Sequence, residues 1–195
     1  MSESPFQVNK KYLIYKIKKF WLKIIEFGKN KQEGHYPYGS VPVLFVGDVQ
    51  IAQSNSILRY AGKLTKFYPT DNLEAAKVDE LVDAIEDIAN TIAPSLYEKD
   101  EETKIKMRQT LANETLPKWF TFLESRITKF GSGNFAVGSS FTIADFKIAS
   151  SLSWITGGTL DHIPTTIIDN YPRLKAIRDN VYSNEKVKEW LEKQK

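Results

Sequence analysis

The stretch PYGSVPVLFVGDVQIAQSNSILRYAGKL, residues 37–64, decides the fold of this chain. Val41–Val46 is a short apolar run, Gly47–Asp48 is a turn pair, and Val49–Ala52 is a second run. Two such runs joined by a short glycine-containing turn predict a β-hairpin. Ser54 follows as a favoured helix N-cap, and apolar residues continue after it at helical spacing. The segment therefore predicts two strands followed by a helix.

Two polar features of this segment point to binding chemistry. Pro42 stands at the start of a predicted core strand, although proline cannot donate to a sheet ladder. It is either an edge-strand proline or part of a strand edge that binds a ligand. Gln53 and Ser54 open the following helix, and the unpaired N–H groups of a helix start can bind a carboxylate. The alternative is a plain N-cap, which is the commoner role of such a serine.

The residues before the hairpin are rich in lysine. Residues 1–40 hold eight Lys and three Glu, a balance of +5, so the rest of the +3 chain sums to about −2. Lys11–Tyr15 has the composition of a strand, and residues 17–28 are predicted to form a helix. A basic helix of this kind could alternatively lie on an anionic membrane surface.

After residue 70 the strand signals end and helical patterns take over. Apolar residues from Val78 to Ile92 recur at helical spacing, and Pro94 is expected to end that helix. The remaining helices are predicted at about 102–129 with a bend at Pro117, from about Thr142, and at 163–170, 172–182 and 184–194. One strand-rich unit followed only by helices implies two domains, residues 1–67 and 70–195.

Composition excludes several classes of protein. Of the 195 residues, 42% are hydrophobic and 26% charged, as in ordinary globular proteins. The absence of cysteine excludes disulfides, thiolate metal sites and a cysteine nucleophile. A net charge of +3 gives no argument for nucleic acid, and no apolar run approaches the roughly 20 residues that span a bilayer. With no secretory leader expected, the chain is predicted to be cytoplasmic.

Residues 37–64 closely resemble the glutathione-binding half of a glutathione transferase, whose members read roughly PFGQ-x-PVL, a hairpin, then QS-x-AI-x-RYLA. The resemblance is best to the sigma class and its haematopoietic prostaglandin D synthase-type relatives. It continues through VDELVDAIEDI (78–88), through a capping box with hydrophobic staple at 141–146, and through NYPRLKAIRDNV (170–181). Altogether it covers about residues 36–195.

The resemblance implies a truncated thioredoxin-like α/β domain, which binds glutathione, followed by an all-α domain. By that resemblance Pro42 is cis, Val41 holds the cysteinyl backbone of glutathione, and Gln53 and Ser54 hold its γ-glutamyl end. Asp87 occupies the position of an acid that reaches across a homodimer to the γ-glutamyl ammonium.

An acidic cluster surrounds Asp87. Asp83, Glu86 and Asp87 lie at i, i+3, i+4 on one predicted helix face, and some relatives bind a divalent cation at such a cluster. The commoner explanation is a solvated helix face, so no metal is predicted.

The N-terminal region departs from the family pattern. Only 41 residues precede Pro42, no arginine occurs before Arg59, and the family's catalytic stretch LTYF-x-x-RG-x-AE is absent. Leu13-Ile14-Tyr15 nevertheless resembles its LTY. Tyr15 is then the catalytic tyrosine, whose hydroxyl stabilises the glutathione thiolate, or it packs in a strand without a chemical role.

The resemblance implies a cytoplasmic, homodimeric glutathione transferase of the detoxification type. Such a protein conjugates glutathione, its co-substrate, to a hydrophobic electrophile. The alternative is a glutathione-transferase-like binding or scaffold protein without catalysis. The electrophile, and any isomerase or peroxidase activity, cannot be predicted from these residues.

Overall fold

The structure is a computed structural model, which describes residues 8–9, 12–17, 20–24 and 36–193. The chain divides into two compact units, residues 1–64 and 65–195. The division falls slightly before the boundary predicted from the sequence, which lies between residues 67 and 70.

The first unit contains a five-stranded antiparallel sheet. Its strands follow one another in chain order across the sheet, each pairing with the next. They are β1 (Val8–Asn9), β2 (Tyr12–Ile17), β3 (Phe20–Ile24), β4 (Val43–Val46) and β5 (Val49–Ala52). The strand predicted at Lys11–Tyr15 is confirmed from Tyr12 onward.

The helix predicted over residues 17–28 is wrong where the structure describes that segment. Phe20–Ile24 is strand β3, which pairs with β2 through Tyr15 opposite Leu22 and with β4 through Trp21 opposite Phe45. Aromatic and β-branched residues favour strands, and an edge of β4 is available to pair with them. Residues 18–19 and 25–28 lie outside the described part of the chain.

The hairpin of β4 and β5 is confirmed, with its turn at Gly47 and Asp48. Gly47 has φ of +59°, a left-handed conformation that glycine adopts without steric cost. Val43 and Leu44 are buried. Helix α1 (Ser54–Thr65) follows the hairpin directly, as predicted.

The second unit is helical. Its helices are α2 (Asn72–Ile92), α3 (Pro94–Tyr97), α4 (Glu101–Thr110), α5 (Leu116–Phe130), α6 (Ile143–Thr156), α7 (Pro172–Ser183) and α8 (Glu185–Glu192). The long helix before Pro94 is confirmed, because α2 ends at Ile92 and Pro94 begins the short α3. Its apolar stripe is buried: Val78, Leu81, Val82, Ile85, Ile88 and Ile92.

The bend predicted at Pro117 corresponds to a short π-helical segment just before that proline. A π-helical segment, Leu111–Thr115, joins α4 to α5, and Leu116 N–H donates to the Leu111 carbonyl. Proline lacks an N–H group, so the helix must reorganise its hydrogen bonds near this position. The Pro117 carbonyl accepts hydrogen bonds from the hydroxyls of Tyr171 and Thr121, each at 2.9 Å.

The capping box and hydrophobic staple predicted at the start of α6 are confirmed. Thr142 is the N-cap, and its N–H donates to Asp145 Oδ2 at 2.7 Å. Phe141 and Phe146 stack, with 5.6 Å between ring centroids.

The helix predicted at 163–170 is wrong. That segment consists of successive turns, including hydrogen bonds from Ile163 N–H to the Leu160 carbonyl and from Ile167 N–H to the Pro164 carbonyl. These bonds span three residues rather than four, so the helix does not propagate. The last two predicted helices are confirmed as α7 and α8.

Candidate ligand-binding site

The register of the β4–β5 hairpin places two of the predicted binding segments at the same end of the sheet. Val43 pairs with Ala52, so Pro42 and Gln53 are the next residues outward on the two strands. The Val41–Pro42 peptide bond is cis. Val41 is 39% exposed and precedes the first ladder pair of β4.

The start of α1 differs from the sequence prediction in one detail. The Gln53 carbonyl accepts the first helical hydrogen bond, from Ile57 N–H at 3.0 Å. Gln53 is therefore the N-cap, and Ser54 is the first helical residue rather than the cap. Gln53 has φ of +70°, a left-handed conformation that is uncommon for a residue with a side chain. Its side chain is exposed, and that of Ser54 is half-buried.

The electrostatics of this helix start favour an anion. The first turn of α1 contains no acidic residue, whereas Lys63 lies in its last turn. No carboxylate in the first turn therefore competes with a bound anion for the free N–H groups and the positive end of the helix dipole. A carboxylate is the chemical group that this arrangement fits.

Tyr15, the predicted catalytic residue, lies in β2, and its backbone is opposite Leu22 of β3. The structure describes the strand there but not the tyrosine side chain. The catalytic role of Tyr15 therefore stays a prediction.

Asp87 lies in the second unit, on α2, with an exposed side chain. The neighbouring Glu86 carboxylate is paired with Lys147 of α6, 2.7 Å from its Nζ atom. Among the residues that the structure describes, no three His, Cys, Asp or Glu side chains converge to hold a metal ion. Glu86 thus forms an ion pair between α2 and α6. The binding role expected for Asp87 stays a prediction.

The sequence prediction missed one buried basic residue of the second unit. Arg108 of α4 is only 3% exposed, and its Nε donates to Ser95 Oγ at 2.6 Å. The Ser95 hydroxyl in turn donates to the Ile92 carbonyl at 2.8 Å, at the negative end of the α2 dipole. Arg108 lies in a run of charged residues, EETKIKMRQT, where no pattern singles it out. Its contacts are those of a residue that joins helices.

The candidate site thus brings together Val41, Pro42, Gln53 and Ser54, all within the first unit. It offers strand-edge backbone groups next to the N–H groups of a helix start, a combination that suits a peptide-like molecule with a free carboxylate. Within the described residues, no helix has the length and apolar character needed to cross a membrane.

Comparison with known proteins gives one consistent group of relatives. Residues 86–194 match the family model of the glutathione S-transferase C-terminal domain. A glutathione S-transferase of Anopheles gambiae is 32% identical over 157 residues, which are 80% of this chain and 74% of that protein. The haematopoietic prostaglandin D synthase of Homo sapiens is 29% identical over 158 residues, again 80% of this chain and 74% of that protein.

Solved structures agree with these sequence relatives. A prostaglandin synthase D of Nilaparvata lugens superimposes with a TM-score of 0.74 at 31% identity, covering 86% of this chain and 82% of that one. This likeness confirms the predicted fold class, a truncated thioredoxin-like N-terminal domain followed by an all-helical domain.

Proposed function

Because the chain belongs to the glutathione S-transferase family, with a divergent N-terminal region, we propose that it binds reduced glutathione and conjugates it to hydrophobic electrophiles. The glutathione site lies where the cis Val41–Pro42 bond meets the start of α1. The observation that carries this proposal is the hairpin register, since pairing of Val43 with Ala52 holds Pro42 beside Gln53.

Two parts of glutathione, the central cysteinyl residue and the γ-glutamyl end, have partners in this arrangement. The cysteinyl part is a peptide unit, and the backbone of Val41 can exchange hydrogen bonds with it, as a strand edge does with an added strand. The γ-glutamyl carboxylate fits the start of α1, where Ser54 supplies both a hydroxyl and a backbone N–H. The Gln53 amide can bond to the same end of the ligand.

The chemistry requires that the glutathione thiol lose its proton, because the thiolate is the nucleophile. A free cysteine thiol has a pKa of about 8.5, so at neutral pH a donor to the sulfur must favour the anion. Tyr15 is the proposed donor. The thiolate then forms a carbon–sulfur bond with the electrophile, whose leaving group departs with the bonding electrons or whose carbon–carbon double bond accepts a proton.

Two further features belong to the proposal. The protein is a cytoplasmic homodimer, and Asp87 of one subunit binds the γ-glutamyl ammonium in the other. The exposed position of Asp87 on α2 is compatible with a role outside its own subunit.

The test is a calorimetric titration of the purified protein with reduced glutathione at neutral pH. Ser54→Ala removes one hydroxyl at the helix start and should weaken binding about tenfold, the effect of losing a hydrogen bond to a charged group. Ser56→Ala is the matched control, because Ser56 is an exposed serine two residues further along the same helix. Equal affinities for wild type and both variants would place the ligand elsewhere.

Ultraviolet difference spectroscopy then separates catalysis from binding. A saturable thiolate band in the complex, weakened by Tyr15→Phe while calorimetric affinity is kept, supports a transferase. Binding without a thiolate band supports the second candidate, a glutathione-binding module without catalysis. Two features favour that second candidate. No arginine precedes Arg59 in the sequence, and Phe20–Ile24 is a strand where the family pattern has a helix.

A further inference from the structure

We draw no further inference here: the strongest candidate, the recess between α5 and the start of α7, is lined by a stripe of exposed hydroxyl side chains at Thr121, Ser125 and Thr128 beside helix N–H groups that Glu124 already caps, and nothing in the structure shows what would occupy it.

Discussion

Asp145 holds together two backbone segments that are separated in the sequence. Its side chain is fully buried. Oδ2 accepts hydrogen bonds from the N–H and the hydroxyl of Thr142, and Oδ1 accepts one from Ala136 N–H at 2.8 Å. Burial raises the pKa of Asp145 above its usual value, and these hydrogen bonds oppose that shift. The carboxylate thus completes the α6 cap and anchors the preceding loop.

We predict that Asp145→Ala lowers the free energy of unfolding by about 2–4 kcal/mol, because it leaves two buried backbone N–H groups without acceptors. Asp145→Asn should cost less, since its amide oxygen can still accept from one of them. Urea denaturation followed by circular dichroism measures both values. Asp169→Ala is the control, because Asp169 is exposed and its Oδ1 lies 3.5 Å from Lys175 Nζ. It should change the free energy of unfolding by less than about 0.5 kcal/mol. If Asp145→Ala lowers the free energy of unfolding no more than Asp169→Ala does, the buried carboxylate does not stabilise the fold in this way.

At the scale of whole elements, α7 depends on α5 for its N-terminal cap. Its N-cap residue, Tyr171, makes no side-chain capping bond. Instead the Glu124 carboxylate of α5 accepts hydrogen bonds from Arg173 N–H at 2.7 Å and from Leu174 N–H at 3.0 Å. A negative charge at a helix N-terminus is also favoured by the helix dipole. One side chain thus caps α7 and fixes it against its neighbour.

Glu124→Ala should destabilise the protein by about 1–2 kcal/mol, the usual cost of losing an N-cap. Glu124→Gln should recover part of that loss, because the amide oxygen still accepts one hydrogen bond. The neighbouring Ser125→Ala serves as the control and should leave the urea midpoint unchanged. If Glu124→Ala also leaves it unchanged, the carboxylate is not the cap that holds α7.

For the whole molecule, the helical unit has the features of an independently folding domain. Helices α2, α5, α6 and α7 supply much of its core. The segments before α6 and α7 add further buried side chains: Ala136, Val137, Leu160, Ile163 and Ile168. The Phe67 carbonyl accepts Ile143 N–H, so the first residues of the unit are tied to the start of α6. These buried side chains give the unit a hydrophobic core of its own.

We therefore predict that a fragment of residues 65–195 folds alone. It should give a strongly helical circular dichroism spectrum and a single cooperative transition in urea, as expected of a small domain. The full chain is the reference for the helical signal. A fragment that melts gradually, with little helix, would show that the core of residues 65–195 is incomplete without the first unit.

Much of the candidate site could be predicted because its signals are local. The turn at Gly47–Asp48, the flanking apolar runs and the polar Gln53-Ser54 pair are all close in sequence. The left-handed φ of Gln53 and its role as N-cap were not predicted, because several backbone conformations suit a glutamine before a helix. The role of Tyr15 stays a prediction, since it depends on where the side chain lies.

The sequence by itself determined the hairpin, the helical second unit, the capping box and the family, because each follows from short-range periodicity, turn chemistry or a compact motif. Backbone pairing decided that Phe20–Ile24 is a strand, because it pairs with β2 on one side and with β4, some twenty residues away, on the other. Tertiary structure likewise decided the capping of α7 by Glu124. The pairing with β4 and the Glu124 cap are contacts between residues distant in the chain, and no local pattern encodes such contacts.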